Sequence, residues 1–195
     1  MGEQPLSKEF IVALRDLEKW LDEAGAPHAL LGGIAVSLIA EPRVTRDIDA
    51  CIWAEQTSWP SLIDSGKPHG FAPRVDDAVA FAERSRVFLL VHEPTGIKID
   101  LSVAGLPFEQ EMLSRASTVK VGDFEVRVPS PEDLVITKAV AHRPRDLVDI
   151  ASIVEIRPQL DLGRIRKVVK EFADALEMPQ ITEDLEKILF ISQRA

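Results

Sequence analysis

Leu6, Phe10, Leu14, Leu17 and Leu21 recur at helical spacing, with Lys8, Glu9, Arg15, Asp16 and Glu18 between them. One apolar stripe on an otherwise charged segment predicts an amphipathic first helix. Gly25 and Pro27 end it. Residues 28–31 are a brief apolar run read as a strand, Gly32-Gly33 breaks it, and 34–40 reads as a second helix closed by Pro42. Residues 47–53 alternate polar and apolar at their start and predict a strand. Residues 59–65 read as a short helix before the turn residues Gly66, Pro68 and Gly70, and 75–82 as another helix. Residues 87–91 and 97–103 are strand-like, and the turn Pro94-Thr95-Gly96 between them predicts a hairpin. Residues 107–115 suit a helix. Residues 118–121 and 124–128 flank Gly122-Asp123, a second hairpin signal.

The character changes at residue 129. Ser130-Pro131-Glu132-Asp133 is a strong helix start, with a capping serine, proline at the first position and acids in the first turn. Helix then dominates to the end, broken at Pro144 and Pro158. The pattern therefore predicts a mixed α/β unit over 1–128 and a helical C-terminal region over 129–195 packed on it. A chain of 195 residues fits one domain with a small appendage.

Composition adds exclusions. With 46% hydrophobic and 28% charged residues the chain is an ordinary globular protein, neither disordered nor fibrous. A single cysteine, Cys51, rules out an intrachain disulfide and fits a reducing compartment. Residues 1–8 lack the apolar stretch of a leader, and no long apolar run spans a membrane, so the expected location is cytoplasmic. The net charge of −9 argues against attraction of nucleic acid by bulk electrostatics. Arg164, Arg166, Lys167 and Lys170 form one basic helical stretch, ordinarily a solvated face but also suited to touching a nucleic-acid backbone.

The candidate chemistry is acidic. Asp47 and Asp49 stand two apart on a predicted strand, so their side chains share one face while Ile48 and Ala50 point to the core. Two such carboxylates repel unless a cation or hydrogen-bond donors lie between them. Asp100 alternates with apolar Ile99 and Leu101 and sits with Lys98 and Ser102 on the polar face of its own strand. If the two strands pair, three carboxylates converge. Such a set suits Mg²⁺ and two-metal phosphoryl chemistry, and the third carboxylate can accept the proton of an attacking hydroxyl. An Asp-x-Asp pair alone is a weak signal, since acids on a solvated strand are common.

The order of features carries more. Leu30-Leu31-Gly32-Gly33-Ile34 is strand, double glycine, helix, followed by Asp47-x-Asp49 and a later lone Asp100. Glycines admit a phosphate close to the backbone, and a helix N-terminus offers N–H groups and partial positive charge. This combination resembles the DNA polymerase beta-type nucleotidyltransferase superfamily over most of residues 28–150. The resemblance implies an α/β (α+β) mixed-sheet nucleotidyltransferase fold followed by a C-terminal helical segment. The stretch from Pro129 through Lys138 to Asp146 and Ile150 is similar to the helical block of nucleotidyltransferase toxins from abortive-infection toxin–antitoxin pairs.

The resemblance implies roles residue by residue. Asp47, Asp49 and Asp100 hold Mg²⁺, two ions in all, with Mn²⁺ as the alternative metal. Gly32 and Gly33 cradle the nucleoside triphosphate, Lys138 faces its phosphates, and Asp146 supports the site. Arg43 and Arg46 are placed to reach a phosphate or to balance the acids, and Arg46, next to Asp47, counts with the nucleotide-binding residues. Gly33 stands where many members carry serine. The expected reaction moves a nucleoside monophosphate to an acceptor hydroxyl, on tRNA or a protein, and releases pyrophosphate. An aminoglycoside or lincosamide is the alternative acceptor. Two other classes stay open: a non-catalytic module that binds nucleotide or a cognate antitoxin, and a metal-dependent hydrolase. His28, His69, His92 and His142 lack metal-site spacing and read as structural or surface residues. Cys51, without a histidine partner, reads as a bystander.

Overall fold

The computed structural model describes residues 6–192. Most of the N-terminal stretch read as lacking a leader lies outside the described residues. Among those described, no helix is long and apolar enough to cross a membrane. The chain divides into two compact units, one holding the chain up to Ala35 and Arg43–Pro129, the other Val36–Pro42 and the chain from Ser130. The second unit thus starts its C-terminal part at Ser130 and also takes in 36–42, where the sequence pattern drew one boundary between 128 and 129.

In the first unit, α1 (Lys8–Glu23) is capped by the Ser7 hydroxyl, which accepts from the Phe10 N–H, and it buries Phe10, Leu14, Leu17 and Leu21. β1 (His28–Leu30) follows, then α2 (Gly32–Ile39), which begins at the glycine pair, earlier than expected, and whose residues from Val36 on belong to the second unit. Next come β2 (Asp47–Ile52), α3 (Trp59–Gly66), β3 (Phe71–Pro73), α4 (Ala78–Ser85), β4 (Val87–His92), β5 (Ile97–Val103), α5 (Pro107–Ser114), β6 (Ser117–Val121) and β7 (Phe124–Val128). The five-stranded sheet has the order β1-β2-β5-β4-β3, while β6 and β7 form a separate antiparallel hairpin. β2 and β5 are parallel, and the other neighbours are antiparallel.

One sheet face carries Ile48, Ala50, Ile52, Ile99, Leu101, Phe88 and Leu90, all essentially inaccessible. Trp20 of α1 stacks on Phe71 at 5.0 Å, and Trp59 of α3 meets Phe88 edge-on at 5.4 Å. The core of this unit therefore lies on that side, and the alternate residues of β2 and β5 face the other way.

β3 has no counterpart in the sequence pattern. It has three residues, ends in Pro73 and occupies a sheet edge, where a missing N–H costs no ladder bond. Asp77 fixes the start of α4, later than expected, by accepting from the Ala80 N–H at 2.9 Å.

The second unit holds α6 (Pro131–Ala141), α7 (Pro144–Ile156), α8 (Leu162–Ala175) and α9 (Gln180–Ser192). Ser130 caps α6 as its sequence predicts, accepting from the Asp133 N–H at 3.1 Å. α6 packs on α7 and α8, and α9 on both of these. Leu134, Ile150, Ile153, Ile165, Val169, Leu185 and Leu189 are buried. The break between α8 and α9, where Glu177 takes a left-handed φ of 55°, adds to those expected at Pro144 and Pro158.

Candidate active site

The register of β2 against β5 sets Asp49 opposite Asp100 and Asp47 opposite Lys98. Residues opposed in neighbouring strands project from one face, so Asp47, Asp49 and Asp100 share a face with Lys98. Asp47 is exposed, while Asp49 and Asp100 are half-buried. A one-residue slip would send Asp100 into the core and Ile99 out, and the buried Ile48–Ile99 pair opposes it.

Gly32 brings the glycine corner to these acids. The Leu31 N–H donates to the Asp49 carbonyl at 2.7 Å, tying the end of β1 to β2. Gly32 has φ +58°, and a Cβ built there would fall on the Asp49 carboxylate. Only glycine meets both demands. At Gly33 a Cβ would stand 3.0 Å from the carbon and both terminal nitrogens of the Arg43 guanidinium. Glycine in place of serine thus makes room for a cationic side chain. The first turn of α2 carries no acid, so its partial positive charge lies beside Asp49 uncompensated from within the helix.

Asp100 is paired with the Arg74 guanidinium. Arg74 is held from behind as well: its Nε donates to the Leu90 carbonyl at 2.8 Å and its backbone N–H to Leu89 at 2.8 Å. Among the described residues, no three His, Cys, Asp or Glu side chains close around an ion-sized position. The sheet puts the aspartates on one face, and the Asp100 carboxylate meets a guanidinium there. Sequence reasoning missed Arg74, because it follows a strand that carries no alternating pattern and lies 26 residues from its partner. Arg46 is exposed, one residue before Asp47.

Cys51 shares the face of Asp47 and Asp49 but is buried among Ala29, Met112 and Leu113. Burial, helped by the Glu109 charge, pushes its thiol up to about 12, which removes it as a nucleophile at neutral pH. His28 is buried with its Nε2 3.0 Å from Glu18, and His92 is buried with its Nδ1 2.8 Å from the Thr95 hydroxyl. His69 pairs with Glu23 and His142 with Asp184.

The second unit holds Lys138 and Asp146. The Lys138 ammonium is buried and sits 2.8 Å from both the Asp146 and the Asp149 carboxylates. Arg143 Nε donates to Asp146 at 2.6 Å. Burial opposes ionisation of Asp146, but the Arg143 and Lys138 donors outweigh it and hold the carboxyl below the usual carboxylate range. Expected to face and support the triphosphate, these two residues form with Asp149 and Arg143 an ion network within that unit.

Residues 11–187 match the family model described as "Nucleotidyl transferase of unknown function (DUF2204)". The chain belongs to this nucleotidyl transferase family. Among curated proteins no sequence matches it. Solved structures resemble this nucleotidyl transferase in fold. An antigenic nucleotidyltransferase-like protein from Paracoccidioides brasiliensis is 18% identical with a TM-score of 0.55, covering 93% of this chain and 94% of that one. The antibiotic-resistance factor ANT(2'')-Ia is 15% identical with a TM-score of 0.59, covering 87% and 94%. A putative nucleotidyltransferase from H. pylori is 16% identical with a TM-score of 0.52, covering 96% and 95%. The mixed sheet and its helices are those of the nucleotidyltransferase fold.

The side chains on this face are of the chemistry that suits the divalent cation the resemblance implies, while their carboxylates are not drawn around one point. The donors are all carboxylate oxygens, the class a hard cation takes. The space that a Cβ at Gly32 would fill holds the Asp49 carboxylate, and a cation already sits on Asp100 as the Arg74 guanidinium.

Proposed function

We propose that this nucleotidyl transferase is Mg²⁺-dependent and moves a nucleoside monophosphate from a triphosphate to an acceptor hydroxyl. The observation that carries the reading is the Asp49–Asp100 register, with Asp47 on the same face and Gly32 against Asp49. Bound Mg²⁺, or Mn²⁺ in its place, would neutralise phosphate charge at these three carboxylates, which Asp47, Asp49 and Asp100 supply as ligands. The glycine corner and the first turn of α2 would meet the phosphates through backbone N–H groups and partial positive charge. Arg43, against Gly33, and exposed Arg46 add cations there. The acceptor oxygen would attack the α-phosphorus, a new P–O bond would form, and the P–O bond to pyrophosphate would break. Asp100 would take the hydroxyl proton. Lys138 and Asp146, which the resemblance sets at the phosphates, also form the buried ion network that links α6 to α7.

A hydroxyl of tRNA or of a protein is the leading acceptor, on the resemblance to toxin-type members. The test incubates the protein with α-labelled triphosphate, Mg²⁺ and, in separate arms, tRNA, protein, an aminoglycoside or a lincosamide. Label should pass to one acceptor with pyrophosphate released. The Asp47→Ala/Asp49→Ala variant should lose about 100-fold or more, as when a main charge-stabilising element is removed. Release of orthophosphate or nucleoside monophosphate would point to a hydrolase. A double variant as active as the parent would favour a binding module, such as the partner of an antitoxin.

A further inference from the structure

We propose that Arg74 is a positioning residue for the acidic centre: its guanidinium holds Asp100 until a divalent cation takes its place, so cation uptake and release of Arg74 are one exchange. The inference rests on the nucleotidyltransferase reading above.

Asp49 and Asp100 are direct cross-strand partners with Asp47 two residues before Asp49, and carboxylates gathered on one face repel when ionised. Arg74 offsets that repulsion at Asp100. Its placement does not depend on Asp100 alone. Its Nε is fixed on the Leu90 carbonyl, its backbone N–H on Leu89, and Pro73 stiffens the chain just before it. The Arg74 side chain is 26% exposed against 45% for that of Asp100, so the guanidinium sits on the more sheltered side and the carboxylate keeps a solvent-facing edge through which an ion can enter. A guanidinium brings one charge and satisfies one carboxylate here. A hard divalent ion brings two and binds oxygens from several. The exchange therefore runs toward the metal once the metal is present. At low metal concentration, Asp100 is committed to Arg74 and only a fraction of molecules present three available carboxylates. Apparent metal affinity falls by that fraction.

The test measures Mn²⁺ uptake by electron paramagnetic resonance on the full chain, without nucleotide. Arg74→Ala should bind Mn²⁺ more tightly than the parent by about tenfold, the factor that corresponds to ~1.4 kcal/mol. Arg74→Lys, which keeps the charge, should stay within about twofold of the parent on the same scale. A purely structural role would lower the stability of Arg74→Ala and leave its affinity where it was, and that result overturns the proposal. Should Arg74→Ala not fold, the parent decides. Its Arg74 Nε–H resonance should move as Mg²⁺ saturates the protein, and an unmoved resonance overturns the exchange. No Mn²⁺ uptake by parent or variant overturns the acidic-site reading and this inference with it. Uptake that is equal in both overturns this inference alone.

Discussion

Gly32 is constrained twice, by a left-handed backbone and by the Asp49 carboxylate in the space beside it. Gly25 has a similar φ of +64° but nothing within 4 Å of its absent side chain. The pair separates strain from site geometry. Gly32→Ala should cost about 1–3 kcal/mol of unfolding free energy and displace Asp49, so Mn²⁺ uptake should fall with stability. Gly25→Ala should cost about 1 kcal/mol and leave Mn²⁺ uptake unchanged. Denaturant unfolding and metal titration on both variants check this, and equal metal binding in Gly32→Ala and the parent would contradict it. Cys51 gives a second expectation at this scale. Buried and pushed up to about 12, its thiol should resist alkylation at pH about 8 in the native protein and react on unfolding. Fast native labelling would refute that placement. Asp47, Asp49 and the glycine pair were legible in the sequence because strand parity and a glycine break are local signals. Arg74 was not, because its link to Asp100 exists only through the pairing of β3, β4 and β5.

At the scale of elements, the decisive fact is the parallel register of β2 and β5. Alternation in each strand said which face each aspartate takes, but no local pattern says that 49 meets 100. That choice belongs to the buried partners Ile48–Ile99 and Ala50–Leu101, which cannot slip without exposing themselves. Both hairpins and the cap of α6 were readable from turn and capping residues. β3 was not, since three residues ending in proline give no period. In the helical unit, the resemblance sets Lys138 at the phosphates, and the structure shows its ammonium between Asp146 and Asp149, a pairing that no local sequence pattern announces. Its Asp146 partner makes the network sensitive to acid. A carboxyl held below its ordinary value binds a proton less readily folded than unfolded, so it adds stability above its unfolded pKa. That stability is lost as pH falls through the lower, folded value. Asp146→Asn should therefore be less stable than the parent at neutral pH, and the gap should narrow below pH about 4. Thermal unfolding against pH for both proteins measures it, and a gap that stays constant to low pH would show that Asp146 carries no such linkage.

For the molecule as a whole, the family match and the acid-bearing sheet support one activity, nucleotidyl transfer. With a net charge of −9, the proposed reading leaves attraction of a triphosphate to local cations such as Arg43 and Arg46. The claim on which the rest depends is that Asp47, Asp49 and Asp100 bind a divalent ion together. Anomalous X-ray scattering from crystals grown with Mn²⁺ and a non-hydrolysable triphosphate tests it most directly. A manganese peak shared by Asp49 and Asp100, phosphate density at Gly32-Gly33, and Arg74 withdrawn from Asp100 are the expected result. Manganese bound elsewhere, with Arg74 still on Asp100, would contradict it.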